Sequence, residues 1–235
     1  MVVERDLEPG DLYEHERVGF LSSLRLLPAQ RLTVEVAATP GWTVHDVLAH
    51  VVGITADLNA QRFGDGEDFD AWTEEQVLSR RDASLEELEK EWDREAPVFE
   101  SGLKLFGYQF GAHYLGDLLH HVADVRVALG QVADRDDDGI AVALDFYLES
   151  FVQTLAEAGV GAVGVDVGDE RWVLGQGDVI ASIRSSRYEF FRALGGRRTL
   201  SEIAGMDWSG DADVVLGLVS RYPVPLASLD EIANH

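Results

Sequence analysis

The chain has 235 residues, no cysteine and a formal net charge of -24. So large an acidic excess argues against the basic footprint that nucleic acid requires and against docking onto anionic lipid. Without cysteine there are no disulfides, thiolate metal ligands or cysteine nucleophiles, so any thiol chemistry takes its thiol from outside. The opening MVVERDLEPG has no apolar signal core, and no stretch reaches the roughly 18 uncharged apolar residues of a membrane span. The expectation is a cytoplasmic protein.

Residues 10–27 carry Leu12, Val18, Leu21, Leu24 and Leu27 at helical spacing, and Pro28 is expected to end or kink that helix. After Thr39-Pro40-Gly41-Trp42, Thr43 and Asp46 form a capping-box pattern opening a second helix. Val44, Val47, Leu48, Val51, Ile54 and Leu58 form its apolar stripe, with His50 at the edge. Residues 64–83 are polar and acidic and read as a loop or a short irregular helix. Ser84 and Glu87 cap a third helix reaching about Leu105, which Pro97 is expected to kink or split.

The most informative stretch is HYLGDLLHHVADVRVALG, His113 to Gly130. At about 100° per residue, Leu115, Leu118, Val122, Val125 and Leu129 form one apolar face, and Gly130 is a suitable C-cap. Asp117 and His121 stand four apart on the flank of that face, where the two side chains can share a small cation. The alternative is a solvated polar face. His113, His120 and Asp124 lie further round and are expected to face water. The acidic run with Asp134, Asp136, Asp137 and Asp138 lacks calcium-loop spacing and reads as linker.

Residues 140–158 form another amphipathic helix, after which the period shifts from 3.6 towards 2. The domain boundary is placed near residue 160, dividing 1–160 from 161–235. Val163–Val167 and Arg171–Leu174 read as a hairpin turning at Gly168-Asp169, with Val179–Ile183 a third strand. Ser186 with Glu189, and Thr199 with Glu202, open two short helices. Trp208 and the last residues read as loop and packing. The fold class is mainly α, a helical bundle followed by a small α+β domain.

Three stretches carry a family resemblance. Pro40 to His50, PGWTVHDVLAH, resembles a helix start of the mycothiol-dependent maleylpyruvate isomerases. Asp117-x-x-x-His121-x-x-Asp124-x-Arg126 resembles their second metal motif, and Phe191 to Arg198, FRALGGRR, resembles a stretch of their C-terminal domain. The resemblance implies a DinB-like four-helix bundle with a divalent metal held by His50, Asp117 and His121. Zinc is the first expectation, with nickel, manganese or iron as alternatives. The isomerase pattern has Glu where this chain has Asp117, one methylene shorter.

Two imidazoles and a carboxylate leave a coordination position open, as in catalytic zinc sites. Asp124 or Asp46, and also Asp57, are candidates to orient a ligand imidazole. Arg197, Arg198 and Arg221 are candidates to anchor a substrate carboxylate. The implied partners are a small electrophile and mycothiol as thiol cosubstrate, for isomerisation or S-transfer; a homodimer is allowed. Rival readings are a metal-dependent hydrolase and a non-catalytic metal-binding or ligand-sensing module with a decayed site.

Overall fold

The computed structural model describes residues 5–64, 69–132, 138–229 and 231. By internal contacts the chain forms two units, one of Glu8–Ala133 and one of Asp134–Ala233 together with Met1–Leu7.

The first unit is helical: α1 (Pro9–Arg25), α2 (Val44–Asn59), α3 (Phe69–Leu78), α4 (Leu85–Leu105) and α5 (Tyr108–Ala128). Helices α1, α2, α4 and α5 make a four-helix bundle, with α3 laid against α2. The core is where their apolar stripes meet, around Phe20, Leu24, Leu48, Val52, Leu88, Trp92, Leu115 and Val122. Local chemistry sets the helix starts. Thr43 Oγ1 accepts from the Asp46 amide at 3.3 Å while the Asp46 carboxylate accepts from the Thr43 amide at 2.9 Å. Ser84 and Glu87 repeat the arrangement on α4. Thr43→Ala is expected to lower the stability of this unit by about 1 kcal/mol in urea unfolding, the ordinary worth of an N-cap.

Pro97 does not split α4, which runs unbroken from Leu85 to Leu105. The proline removes one amide from the helix ladder. Burial of Trp92, Ala96, Phe99 and Leu103 on either side holds the helix together. At the end of α5, the amides of Gly130 and Gln131 bond the carbonyls of Val127 and Arg126, a Schellman closure as the glycine implied.

The second unit holds α6 (Asp138–Ala158), β1 (Ala162–Val167), β2 (Glu170–Leu174), β3 (Val179–Ser185), α7 (Arg187–Leu194), α8 (Leu200–Ala204) and β4 (Asp207–Gly210). The sheet order is β2-β1-β3-β4, with β1 and β3 parallel and the outer pairs antiparallel. The change of period at residue 160 marks the start of β1, whereas the division by contacts comes before α6, because α6 packs on α7. By length and composition alone α6 could cross a membrane, but Leu144, Leu148, Phe151 and Leu155 bury its apolar face in this unit. The N-terminal residues join the unit through Arg5, which forks onto Asp145 at 2.8 and 3.1 Å and reaches Glu170 at 2.9 Å. β4 forms where the sequence predicts loop. Of the acidic linker, Asp134, Asp136 and Asp137 lie outside the described residues, and Asp138 begins α6.

Candidate metal centre

His50 lies two turns into α2, and Asp117 and His121 lie one turn apart on α5. The packing of α2 on α5 brings them together. Each offers one ligand atom, and those atoms all lie within 4.8 Å of one another. Asp117 Oδ1 stands 3.6 Å from His121 Nε2. Donors about 2.0–2.2 Å from a tetrahedral zinc lie roughly 3.4 Å apart, so the α5 pair is already near coordinating separation. The rings of His50 and His121 meet edge to face with centroids 5.0 Å apart. Both histidines are buried, 4 % and 5 % exposed, while Asp117 is half-buried at the rim.

The surroundings show how each imidazole is held. His121 Nδ1 faces the buried carboxylate of Asp124 at 3.8 Å. His50 Nδ1 meets Gln76 Oε1 of α3 at 2.8 Å, and Gln76 Nε2 donates to Asp57 Oδ2 at 3.0 Å. Asp57 also accepts from Arg62 Nε at 3.0 Å. Trp42 covers His50, ring centroids 5.0 Å apart. A tight turn presents that indole: Pro40 and Gly41 occupy its central positions, the Trp42 amide donates to Thr39 O at 3.0 Å, and Gly41 has φ +88°. That is the type II pattern, which needs glycine at its third position.

Some expectations change. Asp124 and His120 are buried rather than wet, 2 % and 1 % exposed, because α5 is covered by three neighbouring helices. His113 is half-buried, its ring against Tyr114, and burial pushes its pKa down to about 4. Asp46, considered for orienting an imidazole, has its carboxylate on the backbone and hydroxyl of Thr43. Asp57 connects to His50 through Gln76, a residue that sequence reasoning missed. Arg198 lies in a buried network with Glu189 and Glu231, Arg221 pairs with Glu157 at the surface, and Arg197 donates to Gly195 O.

Two tyrosines stand near Asp117. Burial raises the pKa of the Tyr114 phenol to about 12, with the Asp117 carboxylate adding to the shift. Tyr13 is raised as well, first by burial; its hydroxyl is 3.3 Å from Thr55 Oγ1. Both phenols are therefore neutral hydrogen-bond donors at physiological pH.

A helical bundle with two imidazoles and one carboxylate converging between two of its helices defines a class of candidate metal-centre proteins. The family model of the mycothiol maleylpyruvate isomerase N-terminal domain matches residues 13–106 of the chain. That range takes in His50 and Gln76 and ends before Asp117 and His121. Among solved structures, a mycothiol-dependent maleylpyruvate isomerase is similar at 16% identity and TM-score 0.49, over 81% of this chain and 88% of that one. A His-to-Ala variant of such an isomerase is similar at 15% identity and TM-score 0.49, over 80% and 88%. No curated protein matches the chain.

Proposed function

We propose that this protein is a metal-dependent enzyme that uses a low-molecular-weight thiol, mycothiol or a close relative, for isomerisation or S-transfer on a small electrophilic substrate. The observation that carries the reading is the convergence of His50, Asp117 and His121 inside the bundle. The family match supports the thiol, and the absence of cysteine requires that it come from outside. The donor set suits zinc: two imidazoles and one carboxylate, partly buried, with a position to spare.

A divalent cation held there would supply Lewis acidity, lowering the pKa of a thiol that meets it. The protein's own groups do the rest. Trp42 and the buried histidine faces exclude water from one side of the trio. Tyr114, kept neutral, can donate a hydrogen bond to an oxygen gaining charge. In an isomerisation the thiolate adds to an activated alkene and the electron pair moves to the conjugated carbonyl oxygen. The former double bond rotates, the pair returns, and the thiolate leaves. In a transfer the sulfur stays on carbon, and the enolate carbon takes up a proton equivalent to the one the thiol gave up. A reduced thiol cosubstrate places this chemistry in the cytoplasm.

Elemental analysis of protein purified without added metal is expected to find a stoichiometric divalent ion, zinc first. Turnover of unsaturated electrophiles is expected to vanish when the thiol is left out. Metal-dependent turnover that ignores the thiol would replace this reading with hydrolysis, and absence of any metal affinity would leave a non-catalytic module.

A further inference from the structure

We infer that Gln76 is the positioning residue of the trio, holding His50 in the single tautomer that leaves Nε2 as a donor to the metal. The inference rests on the metal-centre reading of His50, Asp117 and His121. Gln76 is 1 % exposed and lies on α3, outside the two helices that carry the trio. Its amide has one orientation available. The Asp57 carboxylate only accepts, so the –NH₂ end of Gln76 must point to it, 3.0 Å from Oδ2. The carbonyl end then faces His50 Nδ1 at 2.8 Å and can only accept. His50 Nδ1 must therefore carry the proton, which leaves the Nε2 lone pair for coordination.

An independent feature supports the same conclusion. Gly53 stands one turn after His50 on α2, and a Cβ built there would lie 2.6 Å from Gln76 Cβ and 2.8 Å from its Cγ. α3 thus approaches α2 at a distance only glycine permits, and Gln76 comes within reach of His50 at that point. On the same helix, Glu74 accepts from Trp42 Nε1 at 3.3 Å, so α3 holds both the partner of His50 and the indole that covers it. The two imidazoles are also held differently. Gln76 gives His50 a neutral acceptor, while His121 faces the Asp124 carboxylate. The first histidine is thus the weaker, orientation-dependent donor.

Long-range ¹H–¹⁵N spectra of the metal-free protein at about pH 8, above the ordinary imidazole pKa near ~6.5, read the tautomer directly. Wild type is expected to show His50 with a protonated Nδ1 and a bare Nε2. Gln76→Leu is expected to mix the two tautomers and to weaken zinc binding roughly 10- to 100-fold, the usual effect of losing a partner behind a metal-bound imidazole. Gly53→Ala, which helix propensity favours, is expected to push Gln76 away and reproduce both changes without unfolding α2. An unmixed tautomer and wild-type zinc affinity in either folded variant would overturn the proposal. If wild type binds no zinc and Gln76→Leu still mixes the tautomer, the role of Gln76 stands and the metal reading falls.

Discussion

Zinc added to a His121→Ala variant is expected to bind without a stoichiometric end point and to leave its thermal midpoint unmoved. In wild type the same addition should raise the midpoint, since a ligand at about 100 times its Kd stabilises the folded state by about 2.7 kcal/mol. His121 is central to the trio: Nε2 faces Asp117 at 3.6 Å, and Nδ1 faces Asp124 at 3.8 Å. Its loss leaves two donors on two different helices, one short of the three protein ligands that hold a catalytic zinc. His50→Ala should fail in the same way, and the far-UV helical signal should persist in both. His120→Ala is the control. That side chain is 1 % exposed, so the variant should lose stability, yet still take up zinc with wild-type stoichiometry. Equal loss of metal from His120→Ala and His121→Ala would mean that the wrong histidine was assigned.

What was legible in the sequence was what short-range geometry dictates. Thr43 with Asp46, Ser186 with Glu189 and Thr199 with Glu202 open helices as their three-residue spacing implies. Asp117 and His121 share a face because one helical turn separates them. His50 joins them only through the packing of α2 on α5, which no periodicity encodes; the family resemblance supplied that link. Asp46 fitted two roles, and the cap, being closer in the chain, holds it. Gln76 carries no charge and sits in a polar acidic stretch, so its role shows only in its hydrogen bonds to His50 and Asp57 and in the close approach at Gly53. The helical wheel of α5 showed one apolar stripe and left Asp124 and His120 to solvent. Because α1, α2 and α4 all pack on that helix, more of its circumference is covered than the stripe implies. β4 was missed because Asp207-Trp208-Ser209-Gly210 has no alternation of its own and forms by pairing with the edge of β3.

The largest stability effect is expected at Glu231. Its carboxylate accepts from Arg192 Nε at 2.9 Å and Nη2 at 2.7 Å, from Arg198 Nη2 at 2.9 Å and from the Tyr188 hydroxyl at 3.1 Å. Arg192 is fully buried in the second unit, and Arg198 nearly so. Glu231→Gln keeps the volume and removes the negative charge on which the buried guanidiniums of Arg192 and Arg198 converge. Breaking such a pair on one side costs about 3–5 kcal/mol, whereas replacing both partners with apolar residues is often close to neutral. Glu231→Gln should therefore unfold at much lower urea at neutral pH, and the double variant Arg192→Met with Glu231→Leu should recover much of the loss. Acid supplies a second test. Burial alone would raise the Glu231 pKa, but Arg192 and Arg198 outweigh it and hold the carboxyl below its usual range. A carboxylate with a depressed folded-state pKa stabilises above its unfolded value near ~4.3, and that stabilisation is lost as pH falls through the folded value. The gap between wild type and Glu231→Gln should thus be full at neutral pH, begin to shrink below about pH 4.3, and close at still lower pH. A gap that is absent at neutral pH, or that stays constant into acid, would show that the Arg192–Glu231 pair does not hold this unit together.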